Sequence, residues 1–329
     1  MKLKAGSGVK YGIPYMGSKS KIIDQISKFF PNADNFYDLF GGGFSVTHYM
    51  LMHRYKSYKY FHYNELRPGL CELIKDAING KYNYKVFKPE WISRDDFFKK
   101  KELNAYIKLI WSFGNDGKSY LFGKDIEEQK RSIHQAIVFD EFNEWFVNNF
   151  KINKWPPFLD ITGKRLYLKA LIRNIKRSDL QRLEQLERLE QLERLQLLQQ
   201  LEQLERLQQL QQLLHLQRLQ QLEQLEQLQL TNLSYEKVKI ENNSVIYCDI
   251  PYFGTADYGN SFNHKQFFNW ANDQQNPVFI SEYEIKDDRF YLLKEFIHRS
   301  TLSGSSNNAV KERLYGNKAA YKIIQDFRK

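Results

Sequence analysis

The chain has little cysteine and no long apolar run. Cys71 and Cys248 are its 2 cysteines, and they lie far apart in a chain of 329 residues. Two distant thiols do not make a disulfide framework, and no Cys/His cluster has the spacing of a zinc site. No apolar run approaches the ~20 residues of a membrane span, and no signal-peptide pattern follows Met1. We therefore predict a cytoplasmic protein in a reducing compartment, without a metal centre and without a membrane partner.

The composition is that of a folded, basic protein. Hydrophobic residues make up 42% of the chain and aromatic residues 15%, which is enough for a packed core and excludes global disorder. Lys and Arg number 49 against 39 Asp and Glu, a formal net charge of +10. This balance favours a polyanionic partner, with nucleic acid ahead of an anionic membrane surface.

Helical and strand patterns alternate at both ends of the chain, which is typical of a parallel α/β sheet. We predict strands at residues 35–40, 59–63, 245–249 and 277–283. We predict helices at residues 22–30, 45–55, 68–79 and 290–297. The segment 82–176 differs, because it is rich in Phe, Trp, Tyr, Lys and Asn and contains turn signals such as Gly114-Asn115-Asp116-Gly117. It is interpreted as an inserted basic module, with a peripheral structural subdomain as the alternative.

A repeat separates this module from the second α/β segment. Leucine occupies every third position from 180 to 228, with Gln, Glu and Arg as the main fillers. These residues favour a helix, but three residues advance an α-helix by about 300°, so the leucines do not keep to one face. That spacing disfavours a two-stranded coiled coil. A long helix and a compact solenoid both remain open, as do the roles of spacer and interaction surface.

A glycine turn follows the first predicted strand. Gly41, Gly42 and Gly43 lie between that strand and a helix, where glycine lets a ligand approach the backbone closely. Glu65 follows the second strand, in the position from which an acidic residue grips ribose hydroxyls in dinucleotide sites. The pattern indicates a nucleotide-like cofactor, although a tight turn that binds nothing explains the glycines equally well.

Two charged residues belong to the same predicted crevice. Asp38 ends the first predicted strand, where it is suited to polarise the amino-acid portion of a cofactor or to act as a helix N-terminal charge. Lys19 closes the sequence Tyr15-Met16-Gly17-Ser18-Lys19 before a predicted helix and adds a cation.

The most informative motif is Asp249-Ile250-Pro251-Tyr252, which follows a short apolar run. Methyl transfer to an exocyclic amine requires that the nitrogen lone pair be freed from ring conjugation. Asp249 and the Ile250 carbonyl can each accept one N–H of that amine, and Pro251 biases Ile250 toward an extended backbone. Tyr252 can stack on a base that has left the duplex.

The order of these motifs resembles the Dam-like, class alpha family of DNA adenine methyltransferases, whose members occur in phages and in bacterial restriction–modification. Residues 108–127 look like the recognition region of a phage-type branch, and residues 280–283 look like its late strand. The resemblance covers nearly everything except the leucine repeat. It implies a Rossmann-like catalytic domain (1–80 with 234–329), a target recognition domain (81–178) and a repeat insert (179–233).

The resemblance also implies residue roles. Catalysis is expected of Asp249, Pro251 and Tyr252. S-adenosylmethionine is the expected cofactor, bound by Tyr11, Tyr15, Gly17, Lys19, Asp38, Phe40, Gly41, Gly42, Gly43, Glu65 and Asp249. Double-stranded DNA is the expected partner of a monomeric enzyme. By residue type, the DNA contacts are assigned to Lys99, Lys100, Asn115, Lys118, Ser119, Tyr120 and Lys124.

The catalytic motif departs from the family at one position, because Ile250 stands where relatives carry a first proline. The required acceptor is a main-chain carbonyl, so we predict that activity is kept while the loop loses a fixed φ. The leading function is sequence-specific methylation of the adenine amino group. Methylation of the cytosine amino group and a degenerate DNA-binding homologue are the alternatives. Cysteine-based methylation of the cytosine ring is disfavoured, because neither Cys71 nor Cys248 follows a proline.

Overall fold

A computed structural model describes residues 11–183, Gln199, 208–223, 225–253, 262–299 and 309–327. The chain divides into two compact units. The first unit combines Met1–Asn79 with Arg218–Lys329, and the second unit is Gly80–Gln217. The domain boundaries predicted from the sequence were drawn from motifs and not from contacts between residues. This division does not test them, and they stay a prediction.

The first unit is built on one mixed sheet. Its strands are β1 (Asn35–Asp38), β2 (Tyr60–Asn64), β3 (Leu228–Thr231), β4 (Ser244–Asp249), β5 (Val278–Glu282), β6 (Tyr291–Arg299) and β7 (Ala309–Gly316). Among the described residues the strand order is β3-β2-β1-β4-β5-β7-β6. The first five strands pair in parallel, and β7 runs antiparallel to β5 and β6. The predicted Rossmann-like α/β class is confirmed.

The helices of the described residues lie in both units. They are α1 (Ile23–Ile26), α2 (Ser45–His53), α3 (Leu70–Ile78), α4 (Arg94–Lys100), α5 (Ala105–Ile110), α6 (Glu127–Phe139), α7 (Glu144–Phe150), α8 (Ile161–Leu183), α9 (Gln208–Arg218), α10 (His264–Asp273) and α11 (Lys318–Phe327). No helix in the described ranges is long and apolar enough to cross a membrane.

The central strands are buried along nearly their whole length. Every residue of β1 and β5 is buried, and β4 is buried up to its last residue, Asp249. Such runs are typical of parallel strands covered on both faces. One core cluster contains Tyr37, Ile246 and Ile280 from these strands together with Phe267 of α10. Asp38 and Asp249, the polar residues that end β1 and β4, are therefore held in place by a packed apolar core.

The sheet reverses its order of connection between β1 and β4. Chain order runs from β1 outward to β2 and β3 on one side, and from β4 to β5 on the other. In open α/β sheets, ligands bind in the crevice beyond the carboxyl ends of strands at such a switch point. Asp38 ends β1 and Asp249 ends β4, with Asp38 paired in register with Tyr247. The topology therefore brings these two carboxylates to one crevice.

The second unit is helical, with a small hairpin-like turn. Its buried side chains include Trp111, Ile133, Ile137 and Phe146. Residues 111–121 turn back on themselves: Ser112 forms a bridge with Tyr120, and Leu121 N–H donates to the Trp111 carbonyl at 2.9 Å. The tip is the predicted turn, in which Gly114 and Asn115 have φ of 62° and 57°.

The leucine repeat is described at its two ends, while residues 184–198, 200–207 and 224 lie outside the described part. Its beginning belongs to α8, as propensity predicts, and α9 covers part of its second half. Leu210, Leu213 and Leu216 are buried, as are Leu219 and Leu222. A 3₁₀ turn at Leu219–Gln221 fits the triplet, since that helix has three residues per turn.

The prediction of a helix or solenoid to the end of the repeat is wrong for Leu228–Thr231, which is β3. Leu228 pairs with Phe61 and Leu230 with Tyr63, in parallel with β2. The alternation of Leu228 and Leu230 and the β-branched Thr231 suit a strand once β2 offers an open edge. The repeat insert therefore ends by contributing to the catalytic sheet rather than outside it.

The predicted helix at residues 290–297 is also wrong. Residues Tyr291–Arg299 form β6, which pairs with β7 through a bulge between Leu292 and Lys294. The bulge breaks the alternation of buried and exposed side chains that marks a strand in sequence. Pairing with β7 then overrides the local preference.

Candidate active site

A buried ion pair joins two of the predicted site residues. Lys19 Nζ lies 2.6 Å from Asp249 Oδ2, although the two residues are 230 positions apart. Lys19 is on a 3₁₀ turn, Lys19–Lys21, and its side chain is 6% exposed, against 20% for Asp249. Lys19 Nζ also donates to the Gly17 carbonyl at 3.2 Å. The sequence analysis placed Lys19 near the crevice of the glycine turn and Asp38, and the structure adds its contact with Asp249.

A second carboxylate, which was not predicted from the sequence, also interacts with Lys19. Glu312 Oε1 on β7 lies 3.3 Å from Lys19 Nζ. The Tyr252 hydroxyl donates to the same oxygen at 2.6 Å, and Lys19 Nζ lies 5.1 Å from the Tyr252 ring centre. Asp249, Lys19, Glu312 and Tyr252 therefore form one connected cluster.

The charges of this cluster change the pKa values of its members. Burial raises the pKa of Asp249 to about 6; the charge of Lys19 opposes this change and that of Glu312 adds to it. Burial lowers the pKa of Lys19, but Asp249 and Glu312 outweigh it and raise that pKa above its ordinary value. Asp249 is therefore largely a carboxylate at neutral pH, as an acceptor of N–H groups requires.

Two side chains from other elements hold the backbone of the Asp249 loop. Glu282, at the end of β5, accepts the Phe253 N–H at 3.1 Å and the Tyr283 N–H at 2.7 Å. His264 Nε2 lies 2.8 Å from the Pro251 carbonyl, which can only accept, so this nitrogen carries the proton. Burial raises the pKa of Glu282 to about 7. The loop is thus supported on both sides of Tyr252.

The glycine turn is held by the end of β2. Gly41 N–H donates to the Asn64 carbonyl at 2.9 Å, and Gly42 N–H donates to Glu65 Oε2 at 2.8 Å. The Tyr63 hydroxyl donates to the Gly42 carbonyl at 2.7 Å. A Cβ on Gly41 would lie 2.2 Å from the Tyr63 ring, so a side chain there would displace the ring. Glu65 and the glycines predicted to bind the cofactor are therefore in direct contact.

The segment that starts the described chain packs on the other side of this turn. Ile13 N–H donates to the Gly43 carbonyl at 2.8 Å, and a Cβ on Gly43 would lie 2.4 Å from Tyr15 Cβ. Tyr11 is buried, and its hydroxyl lies 2.9 Å from His53 Nε2. Tyr15 thus borders the glycine turn, whereas the Tyr11 ring packs against α2.

Asp38 is a buried carboxylate with one satisfied oxygen. Its Oδ2 accepts the Thr47 hydroxyl at 2.7 Å and the Thr47 N–H at 3.3 Å. Its Oδ1 has no hydrogen-bond partner within the described part of the chain. Burial raises the pKa of Asp38 to about 7, and the charges of Asp249 and Glu65 act in the same direction. A buried unpaired oxygen is costly unless a ligand donates to it.

Phe40 follows Asp38 and forms part of an aromatic cluster. Its ring centre lies 5.4 Å from that of Tyr235, 5.7 Å from that of Phe262 and 5.6 Å from that of Phe267. Phe40 is partly exposed. It can therefore present one ring face to a ligand while the rest of the ring packs in the core.

The predicted DNA contacts lie in the second unit and differ in exposure. Lys99, Lys100, Lys118, Ser119 and Lys124 are exposed, and Lys100 pairs with Asp96 at 2.8 Å. Asn115 is partly exposed and donates to the Leu109 carbonyl at 2.8 Å. Tyr120 is buried, and its hydroxyl donates to the Ile92 carbonyl at 2.7 Å. The structure brings Lys118 and Ser119 together at the hairpin turn and leaves Tyr120 inside the unit.

The comparison with protein families identifies the reaction. Residues 15–152 match the model of the D12 class N6 adenine-specific DNA methyltransferases. The matched segment contains β1, the glycine turn, β2 and about half of the second unit. The match supports a Dam-like DNA adenine methyltransferase. No curated protein matches this chain.

The match bears out the prediction of adenine methylation over the cytosine alternative. DNA is the substrate, and the reaction uses a methyl donor. The Asp249 loop lies outside the matched residues, so the roles of its residues rest on geometry and are proposed below. Within the described ranges, no group of three or more His, Cys, Asp or Glu side chains is arranged to hold a metal ion.

Four residues around the site were not predicted from the sequence: Glu312, Glu282, His264 and Thr47. Glu312 lies in a strand that was not predicted, and Glu282 was placed in a strand without a role. His264 and Thr47 act through contacts to residues far away in the sequence or on a neighbouring element. Strand pairing places Glu312 and Glu282, and α2 and α10 carry Thr47 and His264, so the contacts of these four side chains depend on the tertiary structure.

Proposed function

We propose that this enzyme transfers a methyl group from S-adenosylmethionine to N6 of an adenine that has rotated out of double-stranded DNA, with residues 249–252 as the acceptor site. One observation carries the proposal. β1 and β4 end side by side at the switch point, so the residues suited to the donor and those suited to the base share one crevice.

The residues at the end of β1 and β2 fit the donor. Asp38 Oδ1 is buried and lacks a partner among the described residues, as expected of an acceptor for a ligand ammonium group. Glu65, bound to the Gly42 N–H, is suited to ribose hydroxyls. The charges of Asp38, Glu65, Asp249 and Glu312 act on one another, whereas Lys19 pairs with Asp249 and Glu312 alone, and this excess of negative charge suits a cationic ligand. When bound, S-adenosylmethionine supplies the methyl group on an electrophilic sulfonium.

The residues at the end of β4 fit the acceptor. Asp249 accepts one N–H of the adenine amino group and the Ile250 carbonyl accepts the other, which frees the nitrogen lone pair. Asp249 can then take up the proton that the nitrogen loses on methylation. Its pKa of about 6 is close enough to neutrality for that exchange. The rate enhancement comes from positioning and from fixed charges, without a covalent bond to the enzyme.

Side chains outside the Asp249 loop hold its backbone. This matters because Ile250 stands where the family motif has its first proline. A proline at this position would fix φ, and Ile250 does not. Glu282 holds the Phe253 N–H, and His264 holds the Pro251 carbonyl. Ile250 itself is 2% exposed. These contacts support a loop that keeps its conformation with a single proline, Pro251.

For DNA binding we propose the exposed basic residues of the second unit. Lys99, Lys118 and Lys124 suit phosphate contacts, and Ser119 and Asn115 at the hairpin turn suit base readout. The base must leave the stack before its amino group can reach Asp249, and Tyr252 offers a ring on which it can stack.

The test is transfer of labelled methyl from S-adenosylmethionine to unmethylated duplex DNA, followed by nucleoside analysis. We expect N6-methyladenine, and we expect Asp249→Ala to lower the rate by roughly 100- to 1,000-fold. Asp273→Ala, at the exposed end of α10, is the matched control and should behave as the wild type.

Two results would count against the proposal. Product formation by Asp249→Ala at the rate of Asp273→Ala would remove Asp249 from the acceptor site. If the wild-type enzyme binds DNA but methylates it only with a donor other than S-adenosylmethionine, the cofactor assignment is wrong.

A further inference from the structure

Glu312 is a buried carboxylate, and the proposed reaction uses it only as one of several negative charges near the donor. It lies on β7, whose inward residues Glu312 and Leu314 are buried while Lys311 is exposed. Its neighbour Arg313 binds Glu295 Oε2 at 3.0 Å and the Tyr283 carbonyl at 2.7 Å. An apolar side chain would suit this inward position better, because burial of a charge is costly unless the charge is paired. The presence of a glutamate here therefore needs an explanation.

The contacts of Glu312 point to the Asp249 loop. Its Oε1 accepts the Tyr252 hydroxyl at 2.6 Å and lies 3.3 Å from Lys19 Nζ. Lys19 is at the same time 2.6 Å from Asp249. One oxygen of Glu312 thus binds both the aromatic residue of the loop and the cation that pairs with its carboxylate.

We propose that Glu312 is a positioning residue for the methyl-transfer step, which fixes the Tyr252 ring through its hydroxyl and shares Lys19 with Asp249. The inference rests on the proposed roles of Asp249 and Tyr252. Stability alone does not account for the arrangement, because a buried ion pair is often no more stable than apolar residues of similar volume. Here a second carboxylate competes with Asp249 for one lysine, which weakens the hold of Lys19 on the catalytic oxygen.

The arrangement has two separable parts. The hydrogen bond to Tyr252 needs an acceptor, which an amide oxygen also provides. The sharing of Lys19 needs a negative charge, which an amide lacks. Glu312→Gln therefore keeps the first part and removes the second, whereas Glu312→Ala removes both.

The charge of Glu312 also acts on the titration of Asp249, and other groups face the same carboxyl. They are Lys19 on the 3₁₀ turn, Asp38 on β1, Tyr247 and Cys248 on β4, Tyr252 in the loop and Glu282 on β5. Burial raises the pKa of Asp249, Lys19 lowers it, and Glu312 raises it further. Removal of the Glu312 charge should therefore lower the pH at which Asp249 becomes a carboxylate.

The experiment measures methyl transfer to unmethylated plasmid DNA as a function of pH, at saturating S-adenosylmethionine. For Glu312→Gln we expect the acidic limb of the rate profile to move down by roughly one pH unit. For Glu312→Ala we expect kcat to fall about 100-fold, with KM for the donor within about threefold of the wild type. Glu295→Gln is the matched control, since Glu295 lies on the neighbouring strand of the same sheet and binds Arg313 instead.

Tyr252→Phe tests the contact from its other end. It keeps the ring and removes the hydroxyl, whose hydrogen bond lowers the pKa of Asp249, so it should lower kcat and move the acidic limb up rather than down. The double variant Tyr252→Phe/Glu312→Ala should lose little more than Glu312→Ala alone, because both changes break the same hydrogen bond. This comparison also holds if Glu312→Gln fails to fold.

The outcomes separate this inference from the proposed function. If Asp249→Ala abolishes transfer while Glu312→Gln keeps the wild-type pH profile and Glu312→Ala matches Glu295→Gln, the inference is wrong and the proposed function stands. Strictly additive losses for Tyr252→Phe and Glu312→Ala would also overturn it. If Asp249→Ala itself stays active, the proposed function fails and this inference fails with it.

Discussion

The two units of this methyltransferase present their functional residues in opposite ways. In the first unit, Lys19, Asp38 and Asp249 are buried or nearly so, and each lies at or beside the end of a parallel strand with defined contacts. In the second unit, the lysines predicted to contact DNA are exposed on helices and around a hairpin turn. Chemistry at one atom requires fixed positions, whereas attraction of a phosphate backbone requires only charge.

This difference predicts different sensitivities to substitution. A single change in the first unit breaks a contact that has no substitute, so the loss appears in kcat and in stability. A single change in the second unit removes one of several exposed charges, so the loss appears in DNA affinity and in its salt dependence.

The largest effect is expected from Lys19→Met. The change leaves Asp249 and Glu312 buried without their shared cation. We expect the free energy of unfolding to fall by about 3 kcal/mol and kcat to fall at least about 100-fold. Urea denaturation and the methyl-transfer assay measure the two quantities. Lys21→Met, an exposed residue of the same 3₁₀ turn, is the control. If Lys19→Met and Lys21→Met had the same free energy of unfolding and the same kcat, the buried contacts of the first unit would not carry the sensitivity expected of them.

Asp38→Asn should change how stability depends on pH. Burial raises the pKa of Asp38 to about 7, so between about pH 4 and pH 7 the folded protein holds a proton that the unfolded chain has lost. This group therefore stabilises the fold most at low pH, and its contribution is lost as the pH rises through 7. Relative to the wild type, Asp38→Asn should gain on the order of 3 kcal/mol between pH 5 and pH 8.

The measurement is urea denaturation of the enzyme without donor at both pH values. Asp34→Asn is the control, because Asp34 is partly exposed and its hydrogen bond with Lys59 lowers its pKa. A pH dependence of Asp38→Asn that equals that of the wild type would show that Asp38 is not held near neutrality.

The smallest effect is expected from Lys99→Ala/Lys118→Ala in the second unit. Both side chains are exposed, so the fold should be unaffected. DNA binding should weaken, and the slope of log affinity against log salt should fall by roughly one for each phosphate that the variant no longer neutralises. Fluorescence anisotropy of duplex DNA over a salt series measures both. Lys286→Ala, an exposed lysine of the first unit, should leave the slope unchanged. A loss of kcat at saturating DNA would contradict the division of roles.

Sequence reasoning succeeded where a motif stays local. The strand followed by Gly41, Gly42 and Gly43, and the apolar run that ends at Asp249, carry their structure in consecutive residues, and the structure forms strands at both places. It failed where pairing decides. Residues 290–297 were predicted as a helix and form β6, and the end of the leucine repeat forms β3 against β2. In both cases a distant strand supplies the hydrogen bonds.

The sequence by itself determined the kind of fold, the reaction and the residues at the ends of β1 and β4, because the order of local motifs is enough for these. Only the tertiary structure decided that Lys19 pairs with Asp249 across 230 positions and that Glu312 joins them. The physical reason is that a buried charge is stable only beside its partners. The sheet topology places the end of β4 and the middle of β7 near the Lys19 turn and so determines those partners.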